Sequence, residues 1–192
     1  ATARHAARVL REGVLVDIGS TTTDVIPFGN ARVLSSARSD ADRLVSGELA
    51  YHGVVRTPLC ALTQRIGWRG RARHVMNELF ATTADVYRLC GELDAAHDQH
   101  PSADNAGKSL QATRQRLARM VGLDERDASA AEWLALARAW RSAQLQALAG
   151  HLRDVLAAHA LSQEAVIVSA GCGAFLVPEL AAAVAGAATH RL

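Results

Sequence analysis

Aromatic side chains are scarce, at 4% of the 192 residues, and alanine is abundant, so a core built on close-packed helices is expected rather than one built on large rings. Cysteine is scarcer still. Cys60, Cys90 and Cys172 are odd in number, far apart and without a CxxC pair, which excludes a disulfide framework and a structural zinc site and suits a reduced cytoplasm. No apolar run reaches the roughly 18 to 20 residues that span a bilayer, and the start does not read as a signal peptide, so no membrane role is expected. Charge of one sign is lacking too. The formal net charge is +2 with arginines spread among acids, which leaves no basic stripe for nucleic acid but leaves small anionic molecules open as ligands.

What is present suits a folded α/β protein. Apolar residues at 49% and charged residues at 21% are ordinary for a globular chain, and 192 residues suffice for one well-buried core, so residues 1–192 read as one domain. Residues 1–12 read as a short basic helix stopped by Gly13. Three strands are expected next, over 14–18, 24–28 and 31–38, joined by the polar turn 19–23 and by a tight reversal at Gly29 and Asn30. A short helix over 40–46 and a strand over 51–57 follow. From Pro58 the pattern turns helical, with apolar residues at helical spacing over 76–93, a loop over 94–108, a helix over 109–121 and a long helix over 129–160. A strand at 165–169, a glycine-containing turn and a helix to about Val184 close the chain. The expected sheet is mixed, opened by three antiparallel strands and packed with helices.

The sharpest chemical feature is DIGSTTTD, residues 17–24, set between two strands. Gly19 lets the main chain approach an anion, while Ser20, Thr21, Thr22 and Thr23 add hydroxyl donors to the backbone N–H groups of the turn. Asp17 cannot itself attract a phosphate, but its carboxylate can hold a hydrated magnesium ion that bridges to phosphate oxygens. The expectation is a small phosphorylated substrate. The plainer reading is that Ser, Thr and Asp are common in turns and bond locally to their own backbone.

DIGSTTTD resembles the second phosphate loop of the actin-like ATPase superfamily, which includes sugar kinases and Hsp70, in the form found in hydantoinase A and oxoprolinase relatives. GELAYHGVVRTPL (47–59), FATTADVYRLCGEL (80–93) and DQHPSAD (98–104) resemble bacterial proteins linked to tetrahydromethanopterin-dependent one-carbon transfer, which are similar to an archaeal synthase of a methanofuran precursor. The resemblance implies a ribonuclease H-like lobe and a transferase that joins an aminomethylfuran methyl diphosphate to the phenol oxygen of γ-glutamyltyramine, releasing diphosphate. It also implies a preceding lobe with its own phosphate loop. Nothing before Val14 has that character and the chain starts without Met, so the expectation is a second lobe that works with a separate first lobe or as a homo-oligomer. ATP is the alternative ligand, in an amidohydrolase of the hydantoinase type or a kinase, and a non-catalytic lobe that binds a partner is a third reading.

Further residues have two readings each. Arg56 can clamp diphosphate or a substrate carboxylate, or be a solvated side chain before Pro58. Glu48 and Tyr51 can orient a phenol or accept its proton, or serve as cap and packing residues. Thr82, Thr83 and Asp85 sit where a helix start needs caps, the other role for Asp85 being a second metal or base residue. His97, Asp98 and His100 lie in a loop with no further ligands, and are read as solvent-exposed. Gly171, Cys172 and Gly173 resemble the superfamily's adenosine-side turn, where small residues let a nucleotide lie near a helix start, although close packing alone also asks for glycines there. Gly107, Lys108 and Ser109 lack the first glycine and the strand of a P-loop.

Overall fold

A computed structural model describes residues 2–162, 165–184 and, as backbone only, 189–191. In chain order the elements are α1 (Thr2–Val9), β1 (Glu12–Ile18), β2 (Thr23–Gly29), β3 (Arg32–Val33), α2 (Asp40–Ser46), β4 (Leu49–Ala50), α3 (Leu59–Leu62), β5 (Arg65–Trp68), β6 (Arg71–His74), α4 (Thr83–Cys90), α5 (Leu110–Met120), α6 (Ala130–Ala158), β7 (Val166–Ala170), α7 (Val177–Ala183) and β8 (Thr189–Arg191). The chain, read above as one domain, divides into two compact units, residues 1–52 with 145–192 and residues 53–144.

The first unit is built on one mixed sheet in the order β3-β2-β1-β7-β8, with β4 also on β2. β1 pairs antiparallel with β2 and parallel with β7, and it is the central strand. Its sequence explains this. Val14, Leu15, Val16 and Ile18 are all buried, so the strand has apolar residues on both faces, as a strand covered on both sides must. Alternation sends Leu15 and Asp17 to one face and Val14, Val16 and Ile18 to the other. On the first face Ala3, Ala6 and Ala7 of α1 pack with Leu15, Phe28 and Val168, small residues letting the helix lie close. The third strand is shorter than the expected 31–38. Its turn, Asn30 and Ala31, has positive φ at both positions (52° and 60°), the tight reversal that suits a two-residue hairpin.

The second unit gathers all three tryptophans of this aromatic-poor chain. Trp133 and Trp140 are fully buried with Leu59, Ile66, Val86, Leu117, Met120 and Leu136 around them. Trp68 stacks on Trp133 at 5.1 Å between ring centroids and donates its indole N–H to the Glu132 carbonyl at 2.8 Å. Here three expectations fail. Residues 65–74 form the β5–β6 hairpin instead of helix, because Ile66 and Trp68 alternate with exposed residues over a span too short to register as a period. The turn at Arg69 and Gly70 (φ 49° and 69°) closes it. Within 76–93 only α4 is helical: Thr82 and Asp85 form a capping box that fixes its start, and Gly91 in the left-handed region ends it. The strand expected at 51–57 also fails, pairing being limited to β4 at Leu49–Ala50. Beyond it Gly53 N–H bonds the Thr57 hydroxyl at 2.8 Å in a local turn instead of a ladder. The loop over 94–108 and the helices α5 and α6 lie where expected, Ser109 capping α5 through a bond from Ala112 N–H. Among the described residues no helix is long and apolar enough to cross a membrane.

Candidate functional site

The turn between β1 and β2 is closed by Gly19 N–H donating to the Thr22 carbonyl at 2.8 Å. That bond leaves a four-residue loop, 19–22, in which Ser20, Thr21 and Thr22 are half-buried and their hydroxyls lie within a short span, Ser20 Oγ and Thr21 Oγ1 being 3.4 Å apart. Thr23 differs from them. It is fully buried and donates its hydroxyl to the His52 carbonyl at 2.6 Å, so its side chain is committed to the fold.

Asp17 stands at the base of this loop, directly opposite Asp24 across the hairpin and beside Ala170 across the parallel pair. No side-chain hydrogen bond to Asp17 occurs among the described residues. Burial first, and then the facing Asp24, raise the Asp17 pKa above its ordinary value. Asp24 is held by Arg43, an ion pair that compensates one carboxylate of the two. Oxygen donors with uncompensated negative charge are what a hydrated magnesium ion accepts, so Asp17 fits the metal role that the motif suggests. Among the described residues no group of three or more His, Cys, Asp and Glu side chains converges, which limits any such ion to few protein ligands.

The turn after β7 docks on the same end of β1. Gly173 N–H donates to the Ile18 carbonyl at 2.8 Å, and Gly171 has φ of 82°. A Cβ at Gly171 would lie 2.3 Å from the Ile18 oxygen and 2.5 Å from Asp17 Oδ1, so only glycine allows this approach. The structure thus brings Gly171, Cys172 and Gly173 together with Asp17 and residues 19–22. The Cys172 thiol is pushed up in pKa, chiefly by burial and also by Asp17, which makes it a poor nucleophile at neutral pH.

The other expected residues have surroundings of their own. Glu48 is buried at 2% exposure, accepts from the Ser35 hydroxyl and lies 3.5 Å from His159 Nε2, while Tyr51 is exposed. In the second unit, Asp85 is 1% exposed. Its Oδ2 accepts Thr82 N–H, and its Oδ1 is met by Arg88 at 2.8 Å and by the wholly buried Arg116 at 2.8 Å. Arg56, which is exposed, and Asp85 both line a cavity of about 330 Å³, with Thr82, Arg88, Asp98 and His100. Asp98 is taken up by Arg88 at 2.7 Å and Lys108 at 3.0 Å. The Asp24–Arg43 pair was not picked out from the sequence, although the symmetric spacing of Asp17 and Asp24 about a four-residue turn places them face to face.

Comparison with known proteins places the chain in a family. The family model described as Hydantoinase/oxoprolinase matches residues 1–187. A protein of Methanocaldococcus jannaschii named "(4-{4-[2-(gamma-L-glutamylamino)ethyl]phenoxymethyl}furan-2-yl)methanamine synthase" is 36% identical over 125 residues, 65% of this chain and 38% of that protein. One of the same name from Methanococcus vannielii is 42% identical over 73 residues, 38% of this chain and 32% of that protein. The matched stretches thus span well under half of these relatives.

Proposed function

Because the chain belongs to the hydantoinase/oxoprolinase family, we propose that it supplies the phosphate-holding lobe of a transferase that makes an aryl furfuryl ether in the biosynthesis of a methanofuran-type one-carbon carrier. The observation that carries this reading is the hydroxyl turn of residues 19–22, seated on an otherwise unbonded Asp17 and flanked by the Gly171 turn. The relatives' name contains a phenoxymethylfuran. Forming that ether requires a phenol oxygen to bond a furfuryl carbon while a leaving group departs from it, and diphosphate is the leaving group for which such a turn is built.

In the proposed reaction the carbon–oxygen bond to diphosphate breaks, the phenol oxygen of a γ-glutamyltyramine bonds the furfuryl carbon, and the phenolic proton passes to a base. Ser20, Thr21 and Thr22 and the backbone N–H groups of the turn hold the diphosphate oxygens, where negative charge grows as the bond breaks. Asp17 would hold a magnesium ion, which when bound would supply positive charge against the departing diphosphate. Arg56 and Glu48 remain proposed as helpers, Arg56 as a cation for diphosphate or a substrate carboxylate and Glu48 as a residue that orients the phenol or accepts its proton. Asp85, fully engaged by Arg88 and Arg116, serves the fold of the second unit. We place the lobe on the ribonuclease H-like plan, supported by three antiparallel strands followed by parallel strands on the far side of β1. The three free cysteines support a cytoplasmic setting.

The test is release of diphosphate from an aminomethylfuran methyl diphosphate plus γ-glutamyltyramine, by a protein spanning the full length of the relatives. Diphosphate and ether in equal amounts are expected, both lost in Asp17→Asn. A second reading is favoured by the Gly171 turn lying against Asp17, an arrangement that also suits ATP in a hydantoinase-type amidohydrolase. Hydrolysis of Mg-ATP without ether formation would select that reading instead.

A further inference from the structure

On the α1 side of the first unit lies a cavity of about 570 Å³ whose walls carry four arginines, Arg4, Arg8, Arg32 and Arg43, with Ser35 and Glu48. Arg4 and Arg8 are one helical turn apart and exposed, on a stripe of α1 that flanks the buried Ala3, Ala6 and Ala7. Arg32 leaves the β2–β3 hairpin beside Ala31, which also lines the cavity. Arg43 is neutralised by Asp24, but Arg4, Arg8 and Arg32 have no ion pair among the described residues. Three uncompensated guanidinium groups around one concavity repel one another and focus a positive potential into it. Each offers a planar fork of donors matched to an oxyanion.

The strain in the wall is a second observation. Ala31 adopts φ of 60°, which an L-residue with a Cβ avoids and which persists where the surroundings enforce it. This conformation makes the sharp reversal that carries Arg32 back beside α1.

From this geometry we infer that the arginine-lined cavity is a second anion site, separate from the hydroxyl turn, that takes an oxyanion bearing at least two negative charges, of phosphate or dicarboxylate chemistry. It needs no metal, because the cations are supplied by side chains. The inference does not depend on the reaction proposed above.

Isothermal titration of the full chain with sodium pyrophosphate, in EDTA and at low salt, reads the site without the magnesium-dependent turn. Saturable binding is expected. It should weaken by about tenfold or more in Arg8→Gln/Arg32→Gln, since two charge-assisted contacts are lost, and change by less than about twofold in Ser20→Ala/Thr22→Ala. Because the exposed arginines support no core, circular dichroism should show the arginine variant folded. Binding should also fall as salt rises, by screening of the exposed guanidinium groups. Titration with succinate as a second arm separates the sources: tighter pyrophosphate assigns a phosphate ligand, tighter succinate a dicarboxylate, and either supports the site. Absence of binding of both anions in EDTA, or pyrophosphate binding that the arginine variant keeps and the turn variant loses, overturns it.

Discussion

Asp17 and Asp85 are the two aspartates that the sequence offered for chemistry, and the fold treats them in opposite ways. Asp85 is 1% exposed and receives two arginines and a backbone N–H, so its charge is spent inside the second unit. Asp17 is half-buried, faces another carboxylate and has no side-chain partner among the described residues. A carboxylate answered by buried cations holds structure together. One whose nearest charged neighbour is negative has bonding capacity left for a ligand, and the fold bears a cost for keeping it so.

The sharpest way to break this comparison is Arg116→Met. Arg116 is fully buried and bonds Asp85, Asp104, the Gly107 carbonyl and Thr113, so its loss leaves Asp85 buried with half its compensation gone. Urea denaturation should show a loss of about 3–5 kcal/mol. A loss under about 1 kcal/mol would mean that the network is not what secures Asp85.

Gly171→Ala should come next. The new Cβ would sit 2.3 Å from the Ile18 oxygen, so the turn must shift away from Asp17. Thermal unfolding should show a cost of about 1–3 kcal/mol, together with weakened anion binding at residues 19–22.

Asp17→Asn should instead slightly stabilise the metal-free protein at neutral pH, because it removes a partly buried charge that faces Asp24. The sign follows from linkage. A carboxyl whose folded pKa is raised binds its proton more tightly when folded, so its contribution favours folding below its ordinary value of 3.8 and is lost as pH rises through the raised folded value. Asp98 behaves oppositely. Burial works to raise its pKa, but the Arg88 and Lys108 contacts outweigh burial and hold it lowered. Its stabilisation is therefore present above 3.8 and lost as pH falls through the lowered folded value. Acid titrations followed by tryptophan fluorescence report the second unit, where Trp68, Trp133 and Trp140 lie, and should show it loosening at low pH in wild type and in Asp17→Asn alike.

The smallest effect is expected from Ala31→Gly, which relieves the positive φ at the hairpin and should add about 0.5–1 kcal/mol. Its unfolding midpoint compared with wild type measures that relief.

Much of the first unit was legible in the sequence because its signals are local and strong. A double run of β-branched residues around DIGSTTTD leaves little but a hairpin, and the small residues at 170–173 announce a tight turn. What was not legible depends on pairing across distance. The β5–β6 hairpin has four residues per strand, rich in arginine on the exposed side, and its inner face rests on Ile66 and on Trp68, which stacks on Trp133. The commitment of Thr23 to the His52 carbonyl, and of Asp85 to an arginine 31 residues away, likewise cannot be read from spacing. The arginine-lined cavity escaped for the same reason, since its four arginines come from three separate segments.

The account turns on the hydroxyl turn and Asp17 acting together on a metal-bound polyanion. Calorimetric titration of Mg-pyrophosphate into wild type and Asp17→Asn, each in the Arg8→Gln/Arg32→Gln background that silences the second cavity, tests that claim most directly. The account predicts saturable binding that requires magnesium and weakens at least about tenfold in Asp17→Asn, the two proteins being equally folded. Equal affinity in the two proteins, or equal affinity with and without magnesium, would contradict it.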